Sequence, residues 1–279
     1  MIHKTADVAG LELHYVEAGD GPPVVLLHGF PEFWFSWRHQ IPVLAAHGLR
    51  AIAPDLPGYN ESSKPDEVLA YSMAAMARLF AEFITKTTGR CVLVGHDWGG
   101  LTAWFTAMLH PELISRLVIM NMPHPAPLAR ELRRQPKQKL KLAYQLLLQP
   151  PRVPEMLMPF LLPPLMKRGG RFTADDIETY RSAWRKPGAL TGMANYYRAL
   201  RRSRGLRSII RPIEMPTLMI WGERDPVFTR ETTEHFDEWV PNLRIERIAN
   251  AGHFVQTDAA DRVNELLVEF LRDAEPDGG

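Results

Sequence analysis

The stretch Cys91-Val92-Leu93-Val94-Gly95-His96-Asp97-Trp98-Gly99-Gly100 decides how this chain is read: a short apolar run, then small-x-Asp-x-small, then helix-forming sequence. A continuous apolar run of strand length suits a parallel strand buried on both faces. Small residues two before and two after the middle position allow a sharp strand-to-helix turn that exposes the middle side chain. The side chain so exposed is Asp97. A helix start also brings backbone N–H groups and the positive end of the helix dipole to the carboxylate, which keeps it ionised. Taken alone, the same residues also describe an ordinary helix N-cap aspartate after a glycine turn.

The surroundings separate these two readings. Short apolar runs without helical period recur at Val24–Leu27, Arg50–Pro54, Arg116–Met120, Thr217–Trp221 and Leu243–Ile248. Between most of them lie amphipathic stretches of helical length, at Ser72–Thr88, Leu101–His110, Thr229–Trp239 and Asp261–Leu271. Alternating strands and helices predict an α/β fold with a mostly parallel sheet flanked by helices. Leu11, Leu13 and Tyr15 alternate ahead of Ala18-Gly19-Asp20-Gly21, which predicts an opening antiparallel pair. The chain has 279 residues, enough for one large α/β domain with an insertion.

That insertion is expected between about Pro123 and Pro212, where the alternation stops and ten prolines from Pro123 to Pro164 punctuate a leucine- and arginine-rich stretch. Proline at that density predicts short helical pieces in place of one long helix. Charge marks the same interval. From Arg130 to Arg211 there are 19 Lys+Arg against 5 Asp+Glu, while the remainder of the chain carries 14 against 27. The expected division is a core of residues 1–122 and 213–279 and a helical lid, or cap, of 123–212. A basic lid could attract the acidic core, an anionic substrate or a membrane surface, or be no more than a solvated arginine-rich face. Its arginines, Arg198, Arg201, Arg202, Arg204 and Arg207 among them, sit in leucine- and proline-rich sequence without a nucleic-acid-reading motif, so no nucleic-acid partner is expected.

Composition excludes other classes. The 46% hydrophobic and 23% charged residues are those of an ordinary globular protein, and only the Glu275-Pro-Asp-Gly-Gly279 tail is of low complexity. One cysteine, Cys91, permits no intramolecular disulfide, which favours a reducing compartment. The start Met-Ile-His-Lys-Thr-Ala-Asp has no apolar signal region, and no run reaches the roughly 20 apolar residues of a membrane span. A cytoplasmic protein, monomeric or homodimeric, is expected. The ten histidines show no His-x-x-x-His or Cys/His spacing, so neither a metal nor a cofactor is expected.

Two further loops give Asp97 its partners. Gly222-Glu223-Arg224-Asp225-Pro226 follows the strand ending at Trp221, and Ala249-Asn250-Ala251-Gly252-His253-Phe254 follows the strand ending near Ile248. Loops at the C-terminal ends of parallel strands gather at one edge of the sheet, so Asp97, Asp225 and His253 can converge there. Nucleophile, acid, histidine is the chain order of an α/β-hydrolase triad. Singly, Asp225 would pass for a turn residue and His253 for a core histidine. A fourth loop, His28-Gly29-Phe30-Pro31-Glu32, follows the first parallel strand. The backbone N–H groups of Phe30 and Trp98 can there form an oxyanion hole, with His28 a structural brace.

With these residues in view, the chain resembles the α/β-hydrolase superfamily over essentially its whole length, and within it the soluble epoxide hydrolases. The stretches that carry the resemblance are His28-Gly-Phe-Pro-Glu-Phe-Trp-Phe-Ser-Trp-Arg38, Asp55-Leu-Pro-Gly-Tyr-Asn-Glu-Ser62 and Gly95-His-Asp-Trp-Gly-Gly100. The resemblance implies two lid tyrosines whose hydroxyls hold and protonate the epoxide oxygen. Tyr144 and Tyr197 lie in stretches similar to those that carry them, with Tyr196 the adjacent alternative to Tyr197.

Aspartate at the elbow narrows the chemistry independently. A serine attacking a saturated carbon would give an ether, a dead end. Aspartate gives an alkyl-enzyme ester whose carbonyl carbon belongs to Asp97, and water activated by His253 can attack it while Asp225 orients the imidazole. Epoxides and alkyl halides remain as substrates. An epoxide leaves as a basic alkoxide and needs a proton donor, whereas a halide needs only hydrogen-bond donors. By resemblance, haloalkane dehalogenases usually carry a side-chain donor after His-Gly, where this chain has Phe30. Fluoroacetate dehalogenases normally carry arginine after the nucleophile, where it has Trp98. The expected activity is an epoxide hydrolase acting on a small-molecule epoxide and water. The alternatives are a haloalkane or haloacid dehalogenase on the same triad, and a non-catalytic binding protein on the same fold. Phe33, Trp34, Trp98, Met158, Met193, Tyr196 and Phe254 are candidate pocket walls.

Overall fold

The computed structural model describes residues 1–272; the Glu275–Gly279 tail and the last residues of the expected core lie outside them. In chain order the strands are β1 (Ile2–Val8), β2 (Leu11–Ala18), β3 (Pro23–Leu27), β4 (Arg50–Pro54), β5 (Cys91–His96), β6 (Ile114–Met120), β7 (Thr217–Gly222) and β8 (Leu243–Ile248). The α-helices are α1 (Gln40–Ala46), α2 (Met73–Thr87), α3 (Asp97–Leu109), α4 (Pro125–Arg134), α5 (Pro136–Lys141), α6 (Val153–Gly169), α7 (Ala174–Trp184), α8 (Ala189–Arg202), α9 (Val255–Asp258) and α10 (Ala260–Arg272).

All eight strands join one sheet in the order β1-β2-β4-β3-β5-β6-β7-β8. β1 and β2 form the expected antiparallel pair, β2 also meets β4 antiparallel, and every pairing from β4 to β8 is parallel. The apolar runs explain the layering. Side chains alternate faces along a strand, so Val25 and Leu27 enter one core cluster with the aromatic residues of α2 and α3, while Val24 and Leu26 enter the other with α1 and α10. β8, at the edge, carries Arg244, Glu246 and Arg247 and is only half-buried; charge on an edge strand discourages pairing with another chain.

Helix boundaries follow local chemistry. Ser72 caps α2 by accepting from the Ala75 N–H. Thr173 and Asp176 form a reciprocal capping box on α7. Two expectations need correction. Thr229–Trp239 is not a helix: only a 3-10 turn at Arg230–Thr233 forms. There the Thr232 and Thr233 hydroxyls donate to the carbonyls of Thr229 and Arg230 at 2.6 and 2.7 Å, and His235 adopts a positive φ of 61°. Side-chain hydroxyls competing for the backbone draw such residues away from a helix.

The second correction is α6, which runs unbroken for 17 residues through Pro159, Pro163 and Pro164. Each interior proline withholds one N–H from the carbonyl four residues earlier. Pro159 and Phe160, two of the residues so affected, are exposed, where water can take the place of the lost donor. α4 to α8 lie between β6 and β7 in the chain, within the stretch that proline, charge and the loss of alternation mark in the sequence.

Candidate active site

The turn from β5 into α3 has the geometry its glycines allow. Asp97 sits at φ +49°, a left-handed conformation costly for any residue with a Cβ. A Cβ on Gly99 would stand 2.1 Å from the Leu27 carbonyl oxygen, and one on Gly95 would stand 2.5 Å from that of Gly99. Glycine is thus required for the close approach of α3 to β3 and β5. The turn leaves Asp97 at the C-terminal edge of the sheet, buried, with Oδ1 accepting from the Phe30 N–H at 2.8 Å.

His253 bridges the two carboxylates. Its Nε2 lies 3.4 Å from Asp97 Oδ2, and its Nδ1 lies 2.9 Å from Asp225 Oδ2. Asp225 is fixed in turn. The Val227 and Phe228 N–H groups donate to its Oδ1 at 2.6 and 3.1 Å, and Asn121 Nδ2 donates to its Oδ2 at 2.7 Å. Burial alone would raise the pKa of Asp97, but the hydrogen bond and charge of His253, with the Phe30 N–H, hold it below the usual carboxylate range. Asp225 is held down similarly against burial, by His253, Asn121 and the Val227 N–H. Burial would lower His253, yet the flanking carboxylates Asp225 and Asp97 prevail and push it up to about 10. The resting site is therefore two carboxylates around an imidazolium.

This edge of the sheet, a sharp elbow and two strand-end loops delivering Asp, Asp and His in that order, is matched by a family described as the alpha/beta hydrolase fold, over residues 22–260. The chain belongs to the α/β-hydrolase family. Among this hydrolase's relatives is AB hydrolase superfamily protein YfhM of Bacillus subtilis, 37% identical, with 94% of this chain and 95% of that protein covered. Epoxide hydrolase 4 of Mus musculus is 34% identical over 95% of this chain and 77% of that one. The crystal structure of an epoxide hydrolase from Bacillus megaterium in complex with an inhibitor superposes with a TM-score of 0.87 at 31% identity, covering 96% of this chain and all of the other.

The hydrolase also brings both candidate tyrosines toward Asp97. The Tyr197 ring on α8 stands edge-on to Trp98, with centroids 4.9 Å apart, and edge-on to Phe30 at 5.4 Å. Tyr144, in the 3-10 turn Ala143–Leu148, faces Tyr197 at 6.1 Å. Tyr144 keeps 37% of its surface exposed, yet its hydroxyl end lies within reach of the Asp97 charge and of Tyr197. Burial first and the Asp97 carboxylate second raise its pKa. Tyr197 is raised well above a free phenol by burial, Tyr144 and Asp97, against a hydrogen bond from the Trp98 side chain. Tyr196, one position earlier, turns away: its hydroxyl donates to the Pro57 carbonyl at 3.0 Å and its ring packs on Tyr59 and Tyr71 as well as Trp98.

Of the other candidate walls, Phe254 lies edge-on to His253 and tilted against His96. Trp34 and Phe33 point elsewhere, Trp34 toward His3 and Phe33 toward Tyr180. Met158 and Met193 are buried in the larger core cluster. His28 has the bracing geometry expected of it, its Nε2 accepting from the Leu56 N–H at 2.9 Å, and burial lowers its pKa.

Several residues at the site escape the sequence reading. Asn121, at φ +42° just after β6, holds Asp225 and also accepts from the Gly222 N–H at 2.9 Å. The signal was available, since Asn121 is one more polar residue at the C-terminal end of a parallel strand. Behind His253, His96 Nε2 lies 2.8 Å from the His253 carbonyl oxygen, and its Nδ1 lies 3.1 Å from Glu32, which also receives Tyr180 and Gln256. On α5, Gln138 holds the acid loop at Val227 O and the Thr229 N–H, and Lys141 donates to the Asp225 carbonyl. Asp258 joins the Arg171 and Gly252 N–H groups. These last contacts tie both catalytic loops to the helices between β6 and β7, and sequence periodicity carries no trace of them.

Proposed function

We propose that this hydrolase is an epoxide hydrolase that forms a covalent ester on Asp97, with residues 123–212 acting as the lid that supplies the proton donors. The observation that carries this is the packing of Tyr197 edge-on against Trp98, which follows Asp97, and against Phe30, whose N–H holds Asp97 Oδ1, with Tyr144 beside Tyr197 and His253 Nε2 3.4 Å from Asp97 Oδ2. A strained ring whose oxygen leaves as an alkoxide needs such donors. Named epoxide hydrolases among its relatives support the same substrate class.

The Asp97–Phe30 and Asp97–His253 contacts support the following order of steps. Asp97 Oδ1 accepts from the Phe30 N–H, with the Trp98 N–H the second donor expected of an oxyanion hole, which leaves Oδ2 to attack an epoxide carbon. The carbon–oxygen bond of the ring breaks as Tyr144 or Tyr197 delivers a proton to the departing oxygen. Forming the ester removes the negative charge of Asp97. That charge raises both phenols and His253 in the resting site, so its loss makes the tyrosines more acidic as the alkoxide develops and lets the His253 imidazolium give up its proton, which reprotonates the tyrosinate left by ring opening. Neutral His253 then takes a proton from water, whose oxygen adds to Cγ of Asp97. The oxyanion on Oδ1 is met by the two N–H groups. Collapse breaks the Cγ–Oδ2 bond, returns the proton to the departing diol and leaves the oxygen of water in Asp97.

The experiment follows that oxygen. In a single turnover with enzyme in excess in H₂¹⁸O, the first diol carries unlabelled oxygen from Asp97 and the label appears in the Asp97 peptide. Label in the first diol would mean direct attack by water and would sink the covalent route. Residence in a reducing compartment such as the cytoplasm is supported by the single cysteine, Cys91, which is buried. No helix among the described residues is long and apolar enough to cross a membrane.

A further inference from the structure

α6 is apolar on the side that faces the solvent. Met156, Leu157, Phe160, Leu161 and Leu165 are exposed and recur at helical spacing, while Met158, Leu162 and Met166 line the buried face. Phe160 is 77% exposed and Met156 70%. The preceding turn, which packs on α6, adds Leu146 and Leu147, and α5 adds Leu140. Among the described residues, ten of the thirteen large apolar side chains that are exposed fall between Leu140 and Leu165. Isolated exposed apolar residues are ordinary, but such a concentration marks an interaction surface.

Charge says what kind of surface covers it. Between Pro136 and Phe172 the sequence has seven Lys or Arg and one acidic residue, Glu155. Glu155 is committed to Arg198, at 3.0 Å. Lys139, Arg152, Lys167 and Arg168 are exposed, and none has an ion-pair partner among the described residues. An apolar stripe fringed with unpaired cations and lacking free carboxylates is complementary to an anionic lipid surface. A second copy of the chain meeting this face by two-fold symmetry would set cation against cation. Outside residues 130–211 the chain has 14 basic against 27 acidic residues, and that part would be repelled by the same lipid, which orients the molecule with α6 toward it.

We propose that the outer face of α6 with the turn before it docks on anionic phospholipid bilayers, lying in the interface without spanning it. Tyr144 sits in that turn, so docking brings Tyr144 to the membrane, where apolar small molecules concentrate. Docking needs no turnover, so it stands or fails independently of the reaction assigned above.

The test is co-sedimentation of the full chain with vesicles of phosphatidylcholine alone or mixed with phosphatidylglycerol. At low salt the bound fraction on the mixed vesicles should exceed that on phosphatidylcholine by about tenfold or more, and about 0.5 M salt should remove most of the difference. Met156→Glu/Phe160→Glu, at two exposed positions, should lower binding by about tenfold with an unchanged melting temperature. Lys167→Glu/Arg168→Glu keeps the apolar stripe and should lose the preference for phosphatidylglycerol. Failure of the wild type to pellet with mixed vesicles at low salt overturns the proposal, as does equal pelleting of wild type and Met156→Glu/Phe160→Glu. A wild-type dimer in sedimentation equilibrium that Met156→Glu/Phe160→Glu dissociates would assign the face to a second copy and overturn it too.

Discussion

The two halves of the candidate site are held by different forces. On the strand-end loops, Asp97, Asp225 and His253 are joined by contacts of 2.6 to 3.4 Å to each other and to backbone N–H groups. On the helices between β6 and β7, Tyr144 and Tyr197 are placed mainly by ring contacts, with centroids 4.9 to 6.1 Å from their neighbours. Hydrogen bonds to charged groups fix direction, whereas ring contacts tolerate sliding. A nucleophile that must approach carbon in line gains from the first kind of support. A proton donor that must follow the oxygen of differently shaped epoxides gains from the second. On the mechanism proposed above, bond-making and substrate accommodation are divided between the sheet and the helices.

Substitution of the nucleophile puts the largest strain on that division. Asp97→Ala removes the carboxylate proposed to form the ester and should lower kcat on the order of 10⁶-fold, read as diol formation from styrene oxide. Rapid diol formation by the purified variant would dissolve the contrast. His253→Gln should instead leave Asp97 able to attack, so that mass spectrometry finds the Asp97 peptide heavier by one substrate. On the helical side the losses should be smaller and shared. Tyr144→Phe/Tyr197→Phe should cost about 10²- to 10⁴-fold in kcat/KM, each single change less, and Tyr196→Phe close to nothing in the alkylation rate. A single tyrosine costing as much as Asp97 would show that the helices fix geometry as rigidly as the sheet.

The same division separates what the sequence made legible from what it did not. β3 to β7 could be placed because both faces of each are covered, which leaves short apolar runs. Asp97, Asp225 and His253 could be placed because a strand end fixes where the next residues emerge. Tyr196 and Tyr197 could not be told apart, because adjacent residues on a helix point about 100° apart and only the packing of α8 on Trp98 sets its phase. The directions of Phe33 and Trp34 were unreadable for the same reason, since an aromatic in a loop announces burial but not its neighbours. Thr229–Trp239 has helical spacing but folds as a turn and loop, its hydroxyls captured by its own backbone. Asn121 carries no titratable group to mark it in the sequence, although it occupies the same kind of strand-end position as Asp225.

Asn121 gives the next test. Asn121→Ala removes a donor to a buried carboxylate, a change of about 1.5–3 kcal/mol that corresponds to a loss of roughly 10- to 100-fold in rate. A merely structural role would leave His253 untouched. With Asp225 less well held, the titration of His253 by NMR should move as well. Asp97→Asn provides the reference, because one of the two charges that raise His253 to about 10 is then gone and its pKa must fall. An unshifted His253 in Asp97→Asn would break the account of how the site switches from imidazolium to base. The sign extends to stability. A histidine raised by folding contributes fully below its unfolded value of about 6.5 and loses that contribution as pH rises through about 10. The wild type should therefore lose more melting temperature between pH 7 and 10 than His253→Gln does.

The smallest expected effect falls where the two halves meet. Gln138 on α5 is fully buried and shares with Lys141 the helical side's grip on the acid loop, donating to Val227 O at 3.1 Å and accepting from the Thr229 N–H at 2.8 Å. Gln138→Leu keeps the volume and strands both backbone groups, which should cost about 1–2 kcal/mol in urea unfolding at an unchanged m value. Asp225 retains Asn121 and the Val227 and Phe228 N–H groups in this variant. Its carboxylate should accordingly stay against His253, with kcat falling by no more than about threefold, since the retained bonds carry most of its orientation. A loss in kcat as large as that of Asn121→Ala, with stability unchanged, would mean that the helices position the acid as well as the proton donors, and the division between sheet and helices would have to be redrawn at Asp225.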